Sequence, residues 1–441
     1  MRGAPPAYQA AIDYLYSFVN YESKMPPSPR HARFNLDRMR ALLGALGDPH
    51  THYPSVVVAG TKGKGSTCAL LESILRAAGY HAGLYTSPHL HSFRERIQVR
   101  RRLISQAEFI AYVERLKPIV ERLDAQPTFF ELATTLALWY FADQGVEIAV
   151  LEIGLGGRYD SVNVVTPRVS AITPISYDHM AVLGNTIEEI ASNKAGIIKP
   201  GVPVVIAPQR PAAEAVIRRE AEQQRAPLVL AGHESLRSLL PTTHESVPYP
   251  VAIDSRSVSL GGAHQLDNAR VATGVALLLR EQGFAIPDAA IATGLRTAQW
   301  PGRFEIIGRD PLIVVDGAMN EESALRLRDA LHTLRYRRLL LVLGTSRDKD
   351  IAAIARALVP EAAAVVLTRS YHPRAAPVEL LEQHVRPLLR PDAPLILTDD
   401  VPPALEEARR LAAPDDCICV TGSLFPVAAA RETLGVATEI D

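Results

Sequence analysis

The run Val56-Val57-Val58-Ala59-Gly60-Thr61-Lys62-Gly63-Lys64-Gly65-Ser66-Thr67 constrains this chain more than any other stretch. Four apolar residues read as a buried strand, the glycines turn the chain, and helical spacing starts at Ser66. A turn of this kind brings backbone N–H groups up to phosphate oxygens. Lys64 adds positive charge, and the helix N-terminus adds its dipole. A nearby Ser or Thr hydroxyl can reach a phosphate or its magnesium ion. The spacing departs from the commonest phosphate loop, because Gly65 separates Lys64 from Ser66. A glycine turn without a ligand is the alternative, but two lysines among three glycines favour nucleotide binding.

With 441 residues the chain is long enough for two or three domains. A hydrophobic content of 47% against 22% charged residues is that of a soluble globular protein with large cores. The net charge of −1 favours neither a nucleic-acid nor an anionic-membrane partner. Three cysteines, Cys68, Cys417 and Cys419, cannot build a disulfide framework. The Cys417/Cys419 pair lies in an apolar run and reads as strand, as expected in a reducing cytoplasm. The N-terminal segment reads as neither a signal peptide nor a membrane span.

Helical spacing fills 8–19 and 36–46. After the phosphate loop come a short strand at 83–89, a helix at 130–141 and a buried strand at 147–153 ending in a glycine-rich turn. Strands at 169–175 and 202–207 flank a helix at 187–195. Apolar strands alternating with helices indicate a parallel sheet covered on both faces. Beyond Trp300-Pro301-Gly302-Arg303 the pattern restarts, with strands at 312–316, 339–344, 364–368, 395–398 and 417–421. The fold expected is therefore α/β: a phosphate-loop, parallel-sheet ATPase domain over 1–300, then a smaller Rossmann-like α/β domain over 301–441. The second unit lacks the G-x-G-x-x-G signature of dinucleotide binding. A ligand shared by both would sit in the cleft beyond the C-terminal strand ends.

Several residues occupy such ends. Glu152 closes an apolar strand, where a carboxylate needs a cation or donor; magnesium and a plain salt bridge are equally open. Ser87 can supply a neutral oxygen ligand. His179, after another strand, can hold a metal or a ligand, although an isolated surface His is the commoner case. Lys194 closes a helix as a favourable last-turn cation. Arg303 and Asp316 follow the boundary, as nucleotide contacts or as solvated loop charges.

Taken in order, these segments resemble the folylpolyglutamate synthase/dihydrofolate synthase family, a branch of the Mur ligase superfamily. Phe34-x-Leu36-x-Arg38-Met39 precedes the phosphate loop Gly60–Ser66, followed by Thr86-Ser87-Pro88-His89-Leu90 and Thr128-Phe129-Phe130-Glu131. Next come Leu151-Glu152-Ile153-Gly154-Leu155-Gly156-Gly157-Arg158-Tyr159-Asp160-Ser161, Asp178-His179 and Lys194-Ala195-Gly196. The series ends with His264-Gln265-Leu266-Asp267-Asn268, Pro301-Gly302-Arg303, Asp316-Gly317-Ala318, Asp348-Lys349-Asp350 and Thr421-Gly422-Ser423.

The resemblance implies ATP-dependent peptide-bond formation, in which a folate carboxylate is phosphorylated and the glutamate amine attacks the acyl phosphate. It implies Ser87 and Glu152 on one magnesium ion and Glu152 with His179 on a second. Lys194 matches a lysine carried as a carbamate. Gly60, Thr61, Lys62, Gly63, Lys64, Gly65, Ser66, Asn268, Arg303 and Asp316 match ATP contacts. Phe130, Glu131, Asp160 and Ser161 match the pterin-pocket wall. Small molecules (pterin or folate, L-glutamate, ATP) are then the partners, of a cytoplasmic monomer. The alternatives are a sister Mur-type ligase acting on another pterin-like or peptidic acid, or an ATP-binding regulator. Four positions depart from the family pattern: Lys62 for Asn, Met319 for His, Asn193 for an acidic residue and Met180 for a polar one.

Overall fold

The computed structural model describes residues 5–22, 36–240, 245–437 and 439–441; Phe34 of the first motif lies outside them. Among the described residues the strands form two sheets. The larger holds β1 (Ser55–Ala59), β2 (Ala82–Tyr85), β3 (Ile97–Val99), β4 (Arg102–Leu103), β5 (Ile148–Glu152), β6 (Val169–Ile172), β7 (Val204–Ile206), β8 (Leu228–Ala231), β9 (Ser235–Leu240) and β10 (Ser246–Pro248). Its order is β10-β9-β8-β7-β6-β1-β5-β2-β3-β4. The smaller holds β11 (Glu305–Arg309), β12 (Leu312–Val315), β13 (Leu339–Leu343), β14 (Ala362–Leu367), β15 (Leu395–Leu397) and β16 (Cys417–Thr421), in the order β11-β12-β16-β13-β14-β15.

The uniformly apolar strands have a direct cause. Side chains alternate between faces along a strand, and both faces of the central strands are covered. Val56 and Val58 of β1 point into a core with the helices Lys64–Ala77, His264–Glu281 and Asp288–Thr297. Val57 and Ala59 point into another with Phe129–Asp143, Ile187–Ala195 and Pro211–Gln223. The smaller sheet repeats the arrangement: Leu339, Leu341 and Leu343 of β13 face one core, and Leu340 and Val342 the other. Burying such a side chain contributes about 1.5–3 kcal/mol, so a polar residue mid-strand would cost heavily on either face.

The larger sheet is not parallel throughout. β2, β5, β1, β6, β7 and β8 run parallel, whereas β3–β4 at one edge and β9–β10 at the other are antiparallel. These antiparallel strands, and β11, are partly polar and lack the apolar runs that marked the central ones. The phosphate-loop helix starts at Lys64, two residues before the expected Ser66, with Gly63 as its N-cap. Gly65 therefore lies in the first helical turn. Ser-x-x-Glu and Thr-x-x-Glu capping boxes start three helices, among them Thr128 with Glu131 ahead of Phe129–Asp143.

The second unit grips the segment after β2. Arg431 Nε lies 3.1 Å from His91 Nε2, and His91 Nδ1 lies 2.9 Å from Glu432 Oε1. Asp441 accepts from Tyr8 Oη and Ser92 Oγ at 2.8 and 2.7 Å. No helix among the described residues is long and apolar enough to cross a membrane.

Candidate active site

Three neighbouring strands of the larger sheet deliver the charged residues. In the parallel register Val58 of β1 pairs with Glu152 of β5, and Ala59 with Ile172 of β6. The loops after β5, β1 and β6 thus emerge side by side, and they carry Glu152, Lys64 and the Asp178-His179 pair. This is where the strand order reverses, the usual ligand position of such sheets.

The glycines of the phosphate loop are required by their neighbours. Gly63 has φ +89, and a Cβ there would lie 2.2 Å from Asn268 Oδ1. Asn268, on the helix His264–Glu281, is thereby fixed against the loop, and its Nδ2 donates to Gln265 Oε1 at 2.8 Å. A Cβ on Gly65 would lie 2.7 Å from Trp300 Cζ2. The additional glycine between Lys64 and Ser66 thus makes room for an indole that arrives from the end of the first unit. Ser66 is buried on the first turn. Thr61 N donates to Pro174 O at 3.0 Å, and its hydroxyl donates to Ser176 O at 3.1 Å, stitching the loop to the segment after β6.

Glu152 is 4% exposed, and its Oε2 accepts from Ser87 N at 3.1 Å. Burial raises its carboxyl above the ordinary value, while Lys64 and, across the cleft, Arg303 oppose the rise. Ser87 joins Glu152 here through its backbone. Arg303 also opposes the burial-driven rise at Asp316. Both Asp316 oxygens accept backbone N–H groups, from Phe304 at 2.8 Å and Ala318 at 2.9 Å. Asp316 therefore shapes the turn that carries Arg303.

Lys194 is 4% exposed and donates from Nζ to Gly60 O at 2.8 Å. Burial, reinforced by Lys64, brings its ammonium down to about 7. The plain last-turn reading is corrected here: the side chain turns inward to the phosphate loop, not toward the open end of its helix. His179 stands in the left-handed region at φ +50, with Nε2 3.8 Å from Asp178 Oδ1. Burial lowers its pKa, Asp178 opposes, and Lys349, Lys64 and Lys194 push further down, which favours the neutral ring, whose unprotonated nitrogen can ligate. Lys62 pairs with Asp178, its Nζ 2.7 Å from Oδ2.

The expected pterin wall divides. Phe130 is half-buried, and a Cβ on Gly154 would lie 2.4 Å from its Cζ. Asp160 accepts from Leu155 N and Val162 N at 2.9 and 3.0 Å; burial pushes its carboxyl up to about 6. Ser161 opens the short helical turn Ser161–Val164. Glu131 is already engaged: Thr128 N donates to Oε2 at 2.7 Å, and Arg38 lies 2.9 Å from Oε1. Its carboxylate holds a helix start and the Arg38 segment together.

The donor set fits magnesium, which takes hard oxygens. Glu152 offers a buried carboxylate facing the phosphate loop, and Thr67 Oγ1, one turn into the loop helix, is buried without a hydrogen-bond partner in the protein. Among the described residues no three His, Cys, Asp or Glu side chains converge as a cage. An ion held by a few protein oxygens plus substrate phosphates needs no such cage. Two residues escaped the sequence reading. Trp300 preceded the visible Pro-Gly-Arg motif, but its contact with Gly65 spans the length of the first unit. Lys349 stood in the Asp348-Lys349-Asp350 motif, and only the fold brings it within electrostatic reach of Asp178 and His179.

Residues 58–276 match the Mur ligase middle domain and 302–424 the Mur ligase glutamate ligase domain. The chain is 38% identical over 387 residues to the dihydrofolate synthase/folylpolyglutamate synthase of Bacillus subtilis, covering 84% of this chain and 87% of that one. It belongs to the folylpolyglutamate synthase/dihydrofolate synthase family. A probable bifunctional folylpolyglutamate synthase/dihydropteroate synthase of Haloferax volcanii is 38% identical over 442 residues. That match takes in 97% of this chain and 50% of the relative, so the chain spans about half the length of that protein. E. coli FolC in complex with DHPP and ADP superposes with a TM-score of 0.81 at 29% identity, covering 98% of this chain and 99% of that one. The family's two-domain α/β fold is the fold found here, with a large, mostly parallel sheet and a second, smaller one.

Proposed function

We propose that this chain is an ATP-dependent ligase that joins L-glutamate to a folate-type carboxylate, dihydropteroate or tetrahydrofolate (poly)glutamate. The observation that carries the reading is the convergence of Lys64, buried Glu152 and buried Lys194 around a phosphate loop, with Arg303 approaching from the second unit. Family membership and the ADP named with the E. coli relative support it. The domain boundary is placed at residue 300, and the protein is taken to act as a cytoplasmic monomer without nucleic-acid partners.

A carboxylate is a poor electrophile. One of its oxygens attacks the γ-phosphorus of ATP, the bond to the β-phosphate oxygen breaks and ADP departs. The glutamate amine then attacks the acyl carbon, phosphate leaves, and the amine loses a proton. Lys64 and the loop N–H groups bind and orient the phosphates, and the helix N-terminus favours their charge. Arg303 closes over them from the other side. Phe130 offers an aromatic face to a flat heterocycle. Glu152 and Ser87, with Glu152 and His179, are the residues to hold magnesium, which when bound neutralises charge on the transferring phosphoryl group. Lys194, whose ammonium burial brings down to about 7, has an amine suited to adding to carbon dioxide. As a carbamate it would become an anion near the metal in place of an ammonium that would repel the cation.

Incubation of purified protein with ATP, L-glutamate and either dihydropteroate or tetrahydrofolate is expected to yield ADP and a product heavier by one glutamyl residue. Absence of product with both pterins would overturn the folate assignment.

A further inference from the structure

Lys62 is the loop residue that a phosphate-binding role leaves over. Its ammonium is directed at Asp178, with Nζ 2.7 Å from Oδ2, and both side chains are largely buried, at 19% and 23% exposure. The other carboxylate oxygen, Oδ1, accepts from His179 N at 3.0 Å and lies 3.8 Å from His179 Nε2. Asp178 therefore stands between Lys62 and His179.

The turn needs such an anchor. His179 is a non-glycine residue at φ +50 and ψ 38, a conformation that persists only where its surroundings impose it. Just upstream, Thr61 N binds Pro174 O, the Thr61 hydroxyl binds Ser176 O, and Ser176 N returns a bond to Thr61 Oγ1 at 3.1 Å. Those bonds end at Ser176. Beyond it the four-residue helix Met180–Leu183 hydrogen-bonds back to His179 itself, and Met180 is exposed. The Lys62–Asp178 pair extends the stitching to the residue beside His179. An asparagine at position 62 is shorter by two side-chain atoms and uncharged, and could not form an ion pair with Asp178.

We infer that Lys62 is a positioning residue: through Asp178 it holds the His179 turn against the phosphate loop, presetting the imidazole for a divalent cation that accompanies the nucleotide. The inference rests on the ligase reading for the identity of that cation, although its test does not require turnover. Lys62 then acts on the metal half of the site and not on the phosphates.

Manganese(II) binding to the ADP complex, followed by electron paramagnetic resonance, separates the two roles. Lys62→Asn is expected to weaken manganese binding about tenfold, in line with the loss of an outer partner of a metal ligand. Lys62→Arg keeps charge and reach and should stay within about twofold, and ADP affinity without metal should change less than about threefold in both variants. Adding Lys62→Asn to Asp178→Asn should cost nothing further, because both changes break one link. Unchanged manganese affinity in Lys62→Asn, full additivity of the pair, or loss of ADP binding would each overturn the inference. The last would place Lys62 on the phosphates. Product formation by the unmodified protein tests the ligase reading separately, so either idea can fail alone.

Discussion

The two sheets share one architecture and end in opposite chemistry. Both have parallel central strands clothed on both faces, and both reverse their strand order near the middle. At the reversal of the larger sheet stand Lys64, Glu152, Asp178 and Lys194, every one charged or chargeable, the last three held by named partners. At the corresponding edge of the smaller sheet stand the hydroxyls of Thr345, Thr368 and Thr421, all buried and without hydrogen-bond partners in the protein. A common fold therefore does not carry a common function. The larger sheet's edge gathers the charged groups, and the smaller sheet's unit adds Arg303 ahead of β11 and Lys349 after β13.

If that contrast is right, the largest effects belong to the charged edge. Lys64→Ala should abolish ATP binding in calorimetric titration, whereas Glu152→Ala should keep substantial binding and lower ADP release at least 10²–10³-fold, on the order of losing one preorganised stabiliser. Normal turnover in Glu152→Ala would break the comparison.

Lys194 gives the pH signature. Its folded value of about 7 lies below the ordinary 10.5, so the unfolded chain binds more protons between those limits. The penalty for burying the ammonium is full below about pH 7 and fades as pH rises toward 10.5. Melting temperature should accordingly gain from this residue across that window, and Lys194→Met should flatten the slope. With ¹³C-bicarbonate, a carbamate resonance should grow as pH passes through about 7 and vanish in the same variant. A slope identical in both proteins would remove Lys194 from the account.

Smaller effects follow from backbone geometry. Gly63→Ala imposes a side chain at φ +89 and drives a methyl against Asn268, and should cost about 1–3 kcal/mol by urea unfolding, with weaker nucleotide binding. The smallest changes sharpen the contrast between the two edges. Thr173→Val, on the larger sheet, removes a hydroxyl donating to Ala59 O and should cost roughly 1 kcal/mol. Thr421→Val, on the smaller, removes a hydroxyl with no partner and should lie within about 0.5 kcal/mol of neutral. Equal costs would mean that water or a ligand satisfies Thr421.

The sequence by itself determined the central strands, since residues covered on both faces must be apolar in unbroken runs, and Val56–Ala59, Leu339–Leu343 and Cys417–Val420 are. The helix Ile187–Ala195 was legible from its spacing, and its capping box with Thr186 agrees. The phosphate loop was legible because glycine and lysine at that spacing have few other uses. What remained hidden depends on partners distant in the chain. The antiparallel strands β9 and β10 have no apolar run, because one face of such a pair meets solvent. The partners of Glu131 were not legible either: one of them, Arg38, lies 93 positions earlier. Nothing in the sequence pairs Lys62 with Asp178, 116 positions later. Only the tertiary structure decided these cases: a side chain's chemistry is its own, but the group that satisfies its charge is chosen by the loops that the parallel sheet sets side by side.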